Sequence, residues 1–416
     1  MRRHKGDLSI IVLTVILMIV GLLVMYTIGP TRANFLNATY GSEYSDSYFF
    51  LHQLLSVGLA IFAFYLFNKI EYKKIAKYTN ALFFASLGLC LILAIAQFSH
   101  LPIAKCELGA CRWFSVSGIS IQPAEFLKFS IVLYLASIFA KYKAESGELL
   151  KNMQFLTRFV LAVGLSLLFV VVIQKDLGSG LPIVVIALAI LFVSGISFKS
   201  FALVLLAVLI LGVGAIMTSS HRRERLWTYL GFSAASAEKE EEDGDAYHIE
   251  NALIAIGTGG LFGVGIGNSV QATGYLPESI NDSVFAILGE MFGFVGLLGL
   301  LFLFAWLLFR VLKVSDYSSD IQKSLIAVGV FAWIMTHLVV NIMSMTGITP
   351  LTGITLPLLS YGGTSMMAVA GALGLVYQIS QYTSREIIID SERESEEKPV
   401  YKKPIEQTNY TYRRRR

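Results

Sequence analysis

Within GYLPESINDSVFAILGE, residues 274–290, an aspartate stands where a polar turn gives way to a long apolar run. Asp282 is at the mouth of that run and Glu290 follows roughly 12 Å further along, at 1.5 Å per residue of helix. A carboxylate at a dry, partly lipid-covered rim has its pKa raised toward the range a general base needs. Asn281 or Asp282 can instead cap the helix that follows, which contributes on the order of 1 kcal/mol and involves no substrate. Glu290 reads as an internal hydrogen-bonding or pairing group facing other helices. A second group lies in CRWFSVSGISIQPAEFLK, residues 111–128, where Pro123 suits the first helical position and puts Glu125 and Lys128 three apart on one face. These residues serve either as a membrane-interface anchor with Trp113, or as a phosphate site with Arg112 and Lys128 as ligands. In SSHRRERLW, residues 219–227, Arg222, Arg223 and Arg225 form either a solvated cluster facing the acidic run 238–243 or ligands for a pyrophosphate-linked lipid headgroup.

Other segments must position these groups. In VIQKDLGSGLP, residues 172–182, Asp176 reads as a helix cap beside two glycines that permit a bend or close packing. The glycines of 254–278 do not follow a Walker pattern, so a broken or re-entrant helix is their better meaning. Pro350, Pro357, Gly362 and Gly363 forbid one continuous helix through 341–366, and His337 and Asn341, four apart, share a face suited to interhelical hydrogen bonds.

With 55% hydrophobic and 15% charged residues among 416, the chain is too apolar for a water-soluble core. The expected class is an all-α polytopic membrane protein. Apolar runs at 8–28, 48–68, 79–98, 122–140, 157–174, 178–196, 200–218, 282–309, 322–342 and 365–383 give about ten transmembrane helices. The first is read as a retained helix, since it lacks a small-residue cleavage site. Alternating the spans from a cytoplasmic N-terminus gathers most Lys and Arg on one side and leaves both termini cytoplasmic. The outer side then receives Arg32, Lys105, Arg112, Lys128, Lys175, Arg222, Arg223, Arg225 and Lys239, a minority for which an anionic ligand is a reason. One membrane domain, 1–383, carries a large extracytoplasmic loop, 219–281, between the seventh and eighth helices; the charged tail 384–416 is expected to be disordered. Cys106 and Cys111 share an outer loop and either pair or stay as thiols. Nothing in the composition supports nucleic-acid binding.

The stretches RWFSVSGISIQPAEFLK, QKDLGSG, AIGTGGLFGVGIGNSVQ, YLPESINDSVFAILGE and GITPLTGITLPLLSYGGTS, in this order, resemble the FtsW/RodA (SEDS) family of peptidoglycan glycosyltransferases. GNSVQ with YLPE and ILGE is closer to the division-type FtsW branch than to the elongation-type RodA branch. The resemblance implies polymerisation of lipid II into glycan strands at the outer face of the cytoplasmic membrane, at the division septum, beside a class B penicillin-binding protein and other divisome proteins. It makes Asp282 the essential aspartate and matches Arg112, Glu125 and Lys128 to the family's polar positions. Around the aspartate the family usually reads HTDFIF where this chain has Ile280-Asn281-Asp282-Ser283-Val284-Phe285, and a common second Glu is Met291 here.

The chemistry this implies is an inverting transfer in which Asp282 takes the acceptor sugar's hydroxyl proton and undecaprenyl pyrophosphate departs. Arg112, Lys128, Arg222, Arg223 and Arg225 would meet the leaving charge, and a divalent cation, magnesium or manganese, is the one cofactor such a step leaves room for. The rival readings are a flippase or transporter for a lipid-linked precursor, an elongation-type polymerase, and a scaffold that only recruits a synthase.

Overall fold

The computed structural model describes residues 6–107, 110–116, 119–146, 152–217 and 244–397. Twelve helices are present among them: α1 Leu8–Tyr40, α2 Tyr48–Lys69, the short α3 Tyr72–Lys77, α4 Thr79–Phe98, α5 Pro123–Ser146, α6 Met153–Leu167, α7 Leu177–Val193, α8 Phe198–Met217, α9 Gly244–Gly259, α10 Val284–Asp316, α11 Ile321–Met345 and α12 Gly363–Glu397. Seven of these helical segments are long and apolar enough to cross a membrane, α6 counting with the π-helical turn Leu168–Ile173 that continues it. Shorter apolar helices occur at Leu177–Val193 and Phe198–Gly214, and the tenth expected stretch lies in α12. Every stretch read from hydropathy therefore falls on a helix, and the chain is a polytopic, essentially all-α membrane protein.

The structure adds four details. The outer segment before α5 folds as a three-stranded antiparallel sheet, β1 Ala104–Glu107, β2 Ala110–Val116 and β3 Ile119–Ile121, with Cys106 and Cys111 bonded across the first hairpin. Part of the expected loop 219–281 is helix, α9, followed by a 3-10 turn at Gln271–Thr273. The span read as continuous over 282–309 is broken at Gly293 (φ 67°, ψ −168°). The last helix, α12, runs past 383 to Glu397.

Burial decides which helices can carry polar groups. In α5 and α11, 83% and 72% of the apolar window is buried inside the chain, against 22–44% for the other five candidate spans. These two form the centre, where a side chain meets protein rather than lipid, so ionisable residues on them can be paired.

Candidate active site

The site is built on the loop that leads into α10. Glu290, one residue of that helix, accepts from Ser269 Oγ (2.5 Å), Val270 N (2.9 Å) and Gln271 N (3.3 Å), and so ties the start of the loop to the helix the loop feeds. Gly274 (φ 126°) lies on α1, where a Cβ would come within 2.3 Å of the Phe35 ring. Glu278 is held in the left-handed region at φ 48°, and Asn281 N and Ser283 N return to its carbonyl at 2.9 and 3.3 Å. From outside the loop, Tyr361 N donates to Ile280 O (2.8 Å), and Asn341 Nδ2 of α11 donates to both Asp282 O (2.6 Å) and Ile354 O (2.7 Å). The main chain of Asp282 is thus clamped from several elements.

Its carboxylate is not. The helix begins at Val284 with Ser283 in the cap position, and no side chain caps it, so the capping role open to Asn281 or Asp282 is not taken up. Asp282 is 7% exposed, and its Oδ1 is buried without a hydrogen-bond partner. Asp176 makes the contrast: it caps α7 by accepting from Ser179 N (2.9 Å) and takes a further bond from Gln122 Nε2 (3.2 Å). Of two aspartates at helix mouths, one has its carboxylate taken up by a cap and the other keeps an oxygen without a partner. Burial pushes the Asp282 carboxyl up to about 7, and the negative charge of Glu278 adds to the rise; hydrogen bonds from its own N–H and from Ser283 act the other way.

Glu125 and Lys128 come together, but deep inside the protein. Lys128 is 0% exposed and its Nζ donates to Glu125 Oε1 (2.7 Å) and to His337 Nε2 (3.0 Å). Trp333 Nε1 donates to the same ring nitrogen (3.2 Å), while His337 Nδ1 lies 3.2 Å from Thr355 O. One tautomer satisfies all of this: a neutral imidazole with its proton on Nδ1. In this arrangement the Lys128 ammonium is enclosed by Glu125, His337 and the Trp333 ring. His337 makes the interhelical bond expected of it, to Lys128 of α5, whereas Asn341 bonds the main chain of two irregular segments; together they put the lysine cluster and the Asp282 backbone one turn apart on α11.

Arg112 Nη2 donates to Lys175 O (3.0 Å), binding the sheet to the loop before α7. Arg222, Arg223 and Arg225, and the acidic run 238–243, lie outside the described residues. Arg32, named from the sequence only among the outer cations, and His248, not singled out there, both reach this loop. Arg32 of α1 pairs with Glu278 at 3.9 Å, and His248 of α9 approaches Ser283 Oγ to 2.6 Å. Among the described residues no three His, Cys, Asp or Glu side chains converge to hold a metal ion. Asp282 and Glu278 supply two carboxylates to this loop.

A bundle of apolar helices with a desolvated acid at one helix mouth and a buried Glu125–Lys128 pair on the central α5 defines a class: polytopic membrane proteins that keep ionisable groups inside the bundle. Residues 7–385 match the family model described as "Cell cycle protein", that of FtsW, RodA and SpoVE, and the chain belongs to this family. It is 32% identical over 388 residues to stage V sporulation protein E of Bacillus subtilis, covering 92% of this chain and 99% of that protein. It is 31% identical over 385 residues to a probable peptidoglycan glycosyltransferase FtsW of Thiomonas intermedia, covering 91% and 89%. Among solved structures, the fold is similar to a chain of a peptidoglycan synthase complex described as coordinating polymerization and crosslinking (TM-score 0.69, 22% identity, 91% and 98% covered). It is also similar to the rod shape determining protein RodA of Thermus thermophilus (TM-score 0.62, 23% identity, 90% and 96% covered).

Proposed function

We propose that this chain is a peptidoglycan glycosyltransferase that polymerises lipid II at the outer face of the cytoplasmic membrane, with Asp282 as general base. Asp282 takes the proton from the 4-hydroxyl of the acceptor's terminal sugar as that oxygen forms its bond to the donor's anomeric carbon. The bond from that carbon to undecaprenyl pyrophosphate breaks, and the pyrophosphate leaves with the electron pair. The observation that carries the reading is a buried carboxylate whose backbone is clamped from α11 while Oδ1 has no partner. An acid near 7 is half ionised at neutral pH and so is matched to the transfer of a hydroxyl proton.

Arg32 is proposed to help meet the leaving charge, since it already lies against Glu278 beside the base. Lys128 is proposed to act through the shape of α5 and α11, and Arg112 through the loop it holds. Arg222, Arg223 and Arg225 remain proposed ligands of the pyrophosphate, and a divalent cation a proposed counter-ion. A class B penicillin-binding protein is the proposed partner, supported by the likeness to a chain of a synthase complex that couples polymerization to crosslinking. Cytoplasmic termini and a septal site of action belong to the same proposal.

The test is polymerisation by the purified full-length chain in detergent, given lipid II and, in parallel, a penicillin-binding partner with its own active site inactivated. Glycan polymer is expected without a second compartment, which a transporter would not make. Asp282→Asn is expected to lower the rate by about 10²–10⁴-fold, the usual contribution of a general base. Polymerisation at the normal rate by that variant sinks the assignment of the base.

A further inference from the structure

We infer that His248 and Ser283 form a positioning pair for Asp282, in which the imidazole fixes the serine hydroxyl and the hydroxyl orients the carboxylate and stabilises its ionised form. The inference rests on the reading of Asp282 as the base and adds to it the group that governs it. The sequence poses the problem: Asp282 is preceded by Ile280 and Asn281 and followed by Ser283, the one neighbour that offers it a hydroxyl.

The geometry shows what meets that hydroxyl. Ser283 is 0% exposed, and His248, 6% exposed, reaches it from α9 with Nε2 at 2.6 Å from Oγ. The hydroxyl has one proton and two acceptors in reach, the Pro277 carbonyl at 2.9 Å and the Asp282 carboxylate. Nε2 donates to or accepts from Oγ according to the ring's tautomer; the inferred pair is the tautomer with the hydrogen on Nε2, which donates and leaves the hydroxyl proton to one of those acceptors. Burial holds the His248 pKa below its ordinary value, against the pull of Glu278 and Asp245, so the ring donates as a neutral group. When Asp282 is protonated, the hydroxyl points to Pro277. When Asp282 ionises, the hydroxyl turns to the carboxylate while His248 keeps its oxygen in place. A hydrogen bond offered only to the charged form favours that form.

The other charged groups facing this pair are few. Glu278 lies on the same loop, Arg32 reaches it from α1, and Asp245 comes from α9; α11 presents the neutral amide of Asn341. None of these donates to Ser283 Oγ, so the pair can be removed while the charges around Asp282 stay in place.

The experiment measures the protonation of Asp282 directly, by infrared difference titration of the detergent-solubilised full chain, with the carboxyl band assigned by its loss in Asp282→Asn. The acid limb of the polymerisation rate is recorded on the same samples. Ser283→Ala and His248→Phe are each expected to move the midpoint up by about one pH unit, the size of one lost hydrogen bond to a charged group. Ser283→Thr, which keeps the hydroxyl, and His248→Gln, which keeps an N–H at similar reach, are expected to stay near the unmodified midpoint. Should His248→Phe fail to fold, the comparison of Ser283→Ala with Ser283→Thr decides alone. Coincident midpoints for Ser283→Ala and the unmodified chain overturn the inference, whatever happens to the rate. If the infrared midpoint moves but Asp282→Asn still polymerises normally, the pair stands and the reading of Asp282 as the base falls.

Discussion

At the scale of the residue, the same burial that suits Asp282 to proton transfer has a cost in stability that can be measured. The folded-state pKa of about 7 lies above the ordinary 3.8, so folding favours the protonated form. Its stabilising contribution is complete below about pH 4 and is lost as pH rises toward 7, after which it no longer changes. Asparagine mimics the protonated acid at every pH. Asp282→Asn is therefore expected to melt no higher than the unmodified chain near pH 4, and increasingly higher between there and pH 7, with a gap on the order of a few kcal/mol above that. Thermal melts in detergent at pH 5 and pH 8 check this, and a gap that shrinks with rising pH contradicts the burial assigned to Asp282. The aspartate was legible in the sequence because a charge at the edge of a long apolar run is costly and calls for a reason. His248 was not legible: it is 35 positions from Ser283 in a stretch with no fixed spacing to it, and only the docking of α9 on α10 brings the two together.

At the scale of the element, the unusual feature is that α10 breaks at Gly293 inside an apolar span. A break there releases main-chain groups that lipid cannot satisfy. The loop after α9 satisfies them: Val264 N and Gly265 N donate to Glu290 O and Met291 O (2.9 and 3.1 Å), and Phe294 N and Val295 N donate to Gly260 O and Leu261 O (2.9 and 3.1 Å). Such strand-like pairing demands close approach, which explains the glycines. A Cβ on Gly259 would lie 2.0 Å from Gly289 O, and one on Gly293, already at positive φ, 2.4 Å from Gly263 N. Gly259→Ala and Gly293→Ala are expected to cost at least about 1–3 kcal/mol and to lower the melting temperature, because backbone on both sides cannot yield. Gly257→Ala, on the same α9 with nothing within 4 Å of its Cβ, is the expected neutral control. The glycine-rich stretch signalled irregular helix from its composition alone. The break in α10 was hidden, because the residues on both sides of Gly293 are equally apolar and hydropathy records no hydrogen bonds. The sheet before α5 was hidden for a similar reason: three short strands held by one hairpin disulfide leave too brief an alternation to read.

At the scale of the whole molecule, one helix organises the site. α11 carries His337, which receives Lys128 from α5, and Asn341, which holds the backbone of Asp282; each also reaches the irregular segment before α12, at Thr355 and Ile354 respectively. The Lys128–His337 contact is separated by 209 positions and the Asn341–Asp282 contact by 59, so the spans were readable from local hydropathy but their convergence was not. This wiring separates two roles for Lys128. With the ammonium fully buried against Glu125, the pair is a charge-balanced strut, and removing one partner strands the other in low dielectric at a cost of about 3–5 kcal/mol. Lys128→Met is expected to destabilise the chain strongly. Adding Glu125→Gln removes the stranded charge, so the double variant is expected to recover most of the lost melting temperature. A double variant as unstable as the single one would mean that the lysine is held by something other than its carboxylate. If it melts like the unmodified chain, its polymerisation rate then separates the two roles. A rate that returns with stability assigns Lys128 to holding α5 against α11, and a rate that stays low despite restored folding assigns it to the pyrophosphate.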